Sequence, residues 1–270
     1  MKFMEKAFIS FTFGVLFLLS SCGQDVSRNP LRVDPSINPI VVDPGPGGIP
    51  SSPFGDVLGR HSYSVVVNRA LVGIGSENSE KSENHYALLR TMPGPNSPGA
   101  FYGIGLGNQA QIGFGLHAAG LSVSTFQGAK FSVFEPSGNH EDCESLMSLK
   151  LLVDLNCDSL NPDYRVITTG NFVPKKKDQW TRFEVKAEDE IYRFARTSGA
   201  ARSLKMLLKN RPLACFVAGE VFDLGMKRDQ KLAPFQLIYG DRFYFEPTSI
   251  RVDDIDLQVQ GETESEDFEP

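Results

Sequence analysis

Period-two alternation of apolar and polar side chains dominates the chain after residue 54. The segments "SYSVVVNRALVGI", "HYALLRTM", "FYGIGL", "QIGFGLH" and "LSVSTFQGAKFSVF" predict strands. In the last of them Gln127 and Gly128 separate two alternating arms, which predicts a tight hairpin turn. Fourteen of the 25 glycines fall between residues 54 and 139, a density that opposes long helices there. Farther on, "YRVITTGNFVP", "QWTRFEVKA", "EIYRFAR", "PLACFVAGEVFD" and "DRFYFEPTSIRV" read as strands, and "RSLKMLLKN" as one short helix. The segment "CESLMSLKLLVDLNC" looks helical. The predicted class is mainly β.

The order strand, strand, strand, helix, strand, strand over residues 163–257 resembles that of the OB-fold, a five-stranded Greek-key barrel. This resemblance implies an OB-like barrel with one short helix at 163–257, while alternation and glycine density predict a β-rich subdomain at 55–140, joined to it by a cysteine-bounded connector at 141–162. A rival resemblance joins both halves into a single jelly-roll-like β-sandwich, similar to lectin-type and laminin-G-like domains.

The N-terminus follows another pattern. Lys2 and Lys6 precede an uncharged block from Ala7 to Leu19, then Ser20 and Ser21, which has the charge, apolar and small-residue parts of a secretory signal. The block is shorter than the roughly 20 residues that span a bilayer core. "Leu19-Ser20-Ser21-Cys22-Gly23" resembles the lipobox of bacterial lipoproteins. That resemblance implies a signal peptide at 1–21 and lipidation of Cys22 by diacylglycerol and an amino-terminal acyl chain such as palmitate. Gly23 in place of an inner-membrane retention Asp implies the outer membrane. The other reading is an ordinary secreted protein cut near Ser21 with Cys22 free. Residues 23–54 hold seven of the seventeen prolines, so 22–54 is predicted to be a Pro-rich linker, extended at about 3.1 Å per residue.

Charge is unevenly placed. The chain carries −6, and the leader's Lys2, Glu5 and Lys6 contribute +1 of that, so residues 22–270 carry about −7. Residues 175–231 hold fourteen Lys or Arg against eight Asp or Glu, while the last ten residues, "GETESEDFEP", hold five acids and no base. Such a block predicts a solvated, disordered acidic tail over 258–270.

Of the three cysteines beyond Cys22, the near pair Cys143 and Cys157 is the natural disulfide in an oxidising compartment, with Cys215 a buried, inert thiol. A continuous helix would hold that pair about 21 Å apart, beyond the reach of a disulfide. Either the helix is short or the two are not bonded to each other.

Signals for chemistry are weak. "GLGNQA" at Gly105 to Ala110 matches a loose dinucleotide fingerprint, but the residues after it read as a strand and not a helix. "NHEDCE" packs ligand types too closely to converge on one ion, and Asp154 and Asp158 lack EF-hand spacing. No cofactor and no metal site is expected. The four histidines have no recognisable nucleophile partner, so an enzyme is the lesser expectation.

One stretch suggests recognition. Trp180, Arg182 and Lys186 share one parity of "QWTRFEVK" while Thr181, Phe183 and Val185 share the other. With Tyr192 and Tyr244 on neighbouring strands, an aromatic and basic face could bind single strands or sugars; a core Trp180 beside a solvated charged face is the alternative. The sequence therefore points to an outer-membrane lipoprotein acting as a non-catalytic binding or envelope-assembly module. Its membrane contact is the lipid anchor, and its partner is another envelope protein, a glycan or a polyanion, with nucleic acid the weaker option. An envelope hydrolase is a further alternative.

Overall fold

The computed structural model describes residues 56–67, 70–78, 83–91, 109–139, 147–195, 197–219, 232–240 and 248–268. Among the described residues, thirteen strands follow one another. The first five are β1 (Ser62–Val67), β2 (Ala70–Asn78), β3 (Glu83–Thr91), β4 (Gln109–Phe114) and β5 (Phe126–Phe134). Next come β6 (Met147–Asp154), β7 (Tyr164–Thr168), β8 (Trp180–Lys186), β9 (Arg193–Phe194) and β10 (Cys215–Phe216). The last are β11 (Phe235–Gly240), β12 (Thr248–Val259) and β13 (Glu262–Glu266). A one-turn helix, α1 (Leu204–Leu207), begins at Ser203, whose side chain accepts from the Met206 N–H.

The strands form two antiparallel sheets. One runs β1-β4-β11-β6-β7-β9, with β10 added to β6; the other runs β2-β3-β12-β5-β8, with β13 added to β12. Both sheets mix strands from both halves of the chain: β11 lies between β4 and β6, and β12 between β3 and β5. The division into a subdomain at 55–140 and an OB-like barrel at 163–257 is therefore corrected to one β-sandwich, the rival expectation. Element order along a sequence does not encode which strands pair, and here the decisive pairings are long-range.

One apolar cluster fills the space between the sheets. Ile112, Phe114, Leu149, Leu151, Phe235 and Leu237 from the first sheet meet Leu89, Phe131, Val133, Ile250, Val252 and Leu257 from the second, all essentially without exposure. Phe235 is its hub, with ring centroids 4.7 Å from Phe216, 5.5 Å from Phe126 and 5.8 Å from Phe114.

Three local expectations change. The apolar run after Cys143 forms strand β6, not a helix, because Met147, Leu149, Leu151 and Val153 alternate into the core; Leu152, buried on the opposite face, hid the period of two. Gln127 and Gly128 lie within β5 and make no hairpin. Gly128 is needed there for another reason: a Cβ would stand 2.6 Å from the Val185 carbonyl oxygen of β8. Finally, the acidic tail is not disordered through residue 268, since β13 pairs with β12 and Phe268 is buried.

The cysteines are also reassigned. Cys157 bonds Cys215, with Cα atoms 5.4 Å apart, within disulfide reach. Cys215 is buried as expected but is not a free thiol, and the Cys143–Cys157 pairing is overturned; Cys143 lies outside the described residues. The bond ties β10 to the loop after β6. That loop is itself wound around the buried Asp154 carboxylate, which accepts the backbone N–H groups of Asn156, Asp158 and Asp163.

Candidate functional site

Strand β8 forms the β5-side edge of its sheet, and its pleat sends Trp180, Arg182, Glu184 and Lys186 outward while Val185 enters the core. Register then assembles a face that no single segment contains. Phe134 of β5 stands opposite Trp180, and Arg251 of β12 stands opposite both Phe134 and Leu88 of β3.

Trp180 is half-buried and braced on two sides. Its ring lies 5.6 Å from Phe134 and 6.3 Å, edge-on, from Tyr86. The Arg251 guanidinium sits over both of these rings, 4.6 Å from the Phe134 centroid and 4.8 Å from that of Tyr86, a cation–π arrangement. Glu77 of β2 pairs with Arg251 from the far side. Gly75 makes room for the tyrosine: a Cβ there would lie 2.6 Å from its ring. Burial pushes the Tyr86 hydroxyl pKa up, keeping it neutral.

The polar rim is built by an irregularity in β12. Its register slips between Asp253 and Asp256, and Asp254 takes a left-handed φ of 49°, the bulge geometry that re-aims side chains. Arg182 reaches into it, contacting Asp256 Oδ2 at 2.8 Å, Asp254 Oδ2 at 3.2 Å and the Asp254 carbonyl at 3.0 Å. Beside it, Asp253 turns inward, accepts from the Asn84 amide at 3.1 Å, and has its carboxyl pushed up to about 6 chiefly by desolvation. Lys186 and Lys130 flank Glu184 at 3.6 and 3.8 Å.

The sequence-chosen residues therefore separate. Trp180, Arg182 and Lys186 share the outer face. Tyr192 does not join them: it is fully buried, and its hydroxyl donates to the Lys186 carbonyl at 2.7 Å, with burial pushing its pKa up. Tyr244 and Cys22 lie outside the described residues. Sequence reasoning missed Phe134, Tyr86 and Arg251, because their proximity to Trp180 depends on register across four strands. A weak signal existed in Gly75, a glycine inside a strand, which often marks close approach of another group.

Several charges on this face are paired among the described residues. Lys130, Arg182, Lys186 and Arg251 are matched by Glu77, Glu184, Asp254 and Asp256. Polyanion binding draws on uncompensated cations, and these four cations are engaged by carboxylates. A braced indole beside planar hydrogen-bonding groups suits an uncharged polar ligand with apolar faces. Among the described residues no group of three or more His, Cys, Asp or Glu is arranged to hold a metal ion.

No family model matches the chain, and no curated protein matches its sequence. Similar solved structures include the family 11 carbohydrate-binding module of the cellulosomal cellulase Lic26A-Cel5E of Clostridium thermocellum. There the TM-score is 0.36 and the identity 9%, over 74% of this chain and 88% of that one. Another is the family 11 module from the same organism in complex with a β-1,3-1,4-mixed-linked tetrasaccharide, at TM-score 0.36 and 10% identity, over 77% and 93%. A solution structure of CtCBM11 gives 0.38 and 10%, over 77% and 92%.

Proposed function

We propose that this chain is a non-catalytic glycan-binding module that recognises neutral oligosaccharides through the outer face of the β2-β3-β12-β5-β8 sheet. The observation that carries this reading is Trp180, partly exposed and locked by Phe134, Tyr86 and the sandwiched Arg251. A sugar ring has apolar C–H faces and a rim of hydroxyls. A rigid aromatic surface takes the former at little entropic cost, and the Arg182–Asp256 pair offers donors and acceptors to the latter. The lipobox supports a tether at Cys22 to the outer membrane, with residues 22–54 as the spacer that lets the module reach ligands away from the bilayer. Mass spectrometry of the membrane-extracted protein is expected to find acyl chains on Cys22; an unmodified Cys22 in the membrane fraction would remove the anchor from this proposal.

Trp180 is the chain's sole tryptophan, so intrinsic fluorescence reports directly on the site. Titration with a panel of neutral β-linked oligosaccharides is expected to shift its emission. Trp180→Ala is expected to weaken binding about tenfold or more, the loss of a stacked aromatic contact. Trp180→Phe, which keeps a ring, is expected to retain part of the affinity and an unchanged circular dichroism spectrum. Calorimetric binding that survives intact in Trp180→Ala, with silent fluorescence in the parent, would place the ligand elsewhere and sink the reading.

A further inference from the structure

The other end of β8 carries a different electrostatic surface. From Ile191 to Gly219 the chain holds six Lys or Arg and no Asp or Glu. In the middle of this stretch, α1 forms a ridge. On one flank lies a cleft of about 490 Å³ lined by Arg165, Arg202, Lys209, Asn210 and Arg211 over a floor that includes Phe194 and Leu207. On the other lies a more apolar cleft of about 650 Å³ that shares Met206, Lys209 and Arg211 and adds Lys205 and Leu208. Both volumes fall in the range of small-ligand sites.

The cations here differ from those of the Trp180 face in one respect. Lys130, Arg182, Lys186 and Arg251 are each matched by a carboxylate. Arg202, Lys205, Lys209 and Arg211 are exposed, and no described carboxylate pairs with any of them. The single acid lining the cleft, Asp163, is engaged by Arg165 at 2.9 Å. Like charges concentrated in a concave site raise the local potential and select counter-charged ligands.

From these observations we infer that the α1 cleft is a second binding site, specific for acidic oligosaccharides. Arg202 and Arg211 present planar forks that match carboxylates in two parallel hydrogen bonds, and Lys209 adds a third positive group to the same lining. Leu207 and Phe194 on the floor supply apolar surface for the sugar-ring faces. Nucleic acid is disfavoured by the lining, which has no Trp or Tyr and keeps its one aromatic ring in the floor, whereas single strands are held by successive exposed rings. This site is independent of the neutral-glycan reading: Ala187, which lines the adjoining apolar cleft, follows the end of β8 opposite Trp180, about 20 Å away at the strand rise.

The test uses the full chain and four probes: an oligogalacturonate tetramer, a neutral β-linked glucose tetramer, a single-stranded oligonucleotide and vesicles with an anionic headgroup. Calorimetry is expected to show the oligogalacturonate bound, with affinity falling as salt rises from 50 to 200 mM. The triple variant Arg202→Ala, Lys209→Ala, Arg211→Ala is expected to lose about 30-fold or more. Trp180→Ala is expected to leave oligogalacturonate binding unchanged, which separates this site from the neutral one. Lys209→Glu alone, a surface change, is expected to reduce binding further than Lys209→Ala. The inference is overturned by equal binding of parent and triple variant, by a salt-insensitive preference for the neutral tetramer at this site, or by cation-dependent binding of oligonucleotide or vesicles without oligogalacturonate.

Discussion

Cys215→Ser is expected to cost about 4 kcal/mol of stability, measured by urea unfolding without reductant. The Cys157–Cys215 bond closes a chain separation of 58 residues, and the chain-entropy account puts a loop of that length between the roughly 3 kcal/mol of a 15-residue loop and the roughly 4.7 kcal/mol of a 100-residue one. Cys215 is buried at the junction of β10 and β6, so its replacement alone mixes lost cross-link with altered packing. Cys157 separates the two, because it is exposed and its replacement by serine removes no buried atom. Both single variants are expected to fall by similar amounts. A Cys157→Ser protein within 1 kcal/mol of the parent would mean that the cross-link contributes little.

The same disulfide marks where sequence reading stops. Spacing along the chain favours near neighbours, whereas the sandwich brings β10 beside β6 by a pairing that only the finished topology defines. Strand content was legible because alternation is a local property: Trp180, Arg182 and Lys186 could be placed on one face of β8 without knowing what lay beside it. The brace around Trp180 was not, since Phe134, Tyr86 and Arg251 come from three other strands and meet it only through register. Lack of alternation misled in β6, where Leu152 is buried on the side opposite Leu151 and Val153, so a two-faced apolar strand looked like a helix. Charge misled in the tail. In "ETESEDF" the period of two is intact, but Glu264, Glu266 and Phe268 occupy the inward positions, and acids at inward positions read as a solvated run when their partners are unseen.

Those partners make Glu266→Ala the second large effect, an expected loss of about 3 kcal/mol. Register places Glu266 opposite Ile255 on the core side of β12, at the end of the sandwich where the chain enters β1. Its carboxylate accepts the His61 N–H at 2.7 Å, the Ser62 hydroxyl at 3.0 Å and the Phe268 N–H at 3.3 Å, while only 4% exposed. Truncation leaves these donors without an acceptor, and an unsatisfied buried group costs about 1–3 kcal/mol. Glu264 makes a parallel contact, accepting the Gly115 N–H at 2.9 Å and lying 2.5 Å from His117 Nδ1, so β13 stays attached and the loss registers locally. Glu266→Gln keeps one carbonyl oxygen for two of the donors and is expected to cost only about 1 kcal/mol. Gly59 supplies the decisive control. A Cβ at that position would lie 2.3 Å from Glu266 Oε1, so Gly59→Ala is expected to destabilise the parent. In the Glu266→Ala background that clash has no partner, and the Gly59→Ala penalty is expected to vanish. A double-mutant cycle in urea therefore reads out a coupling of about 1–2 kcal/mol. Additive effects would show that the carboxylate does not sit against Gly59 and that the tail is solvated after all.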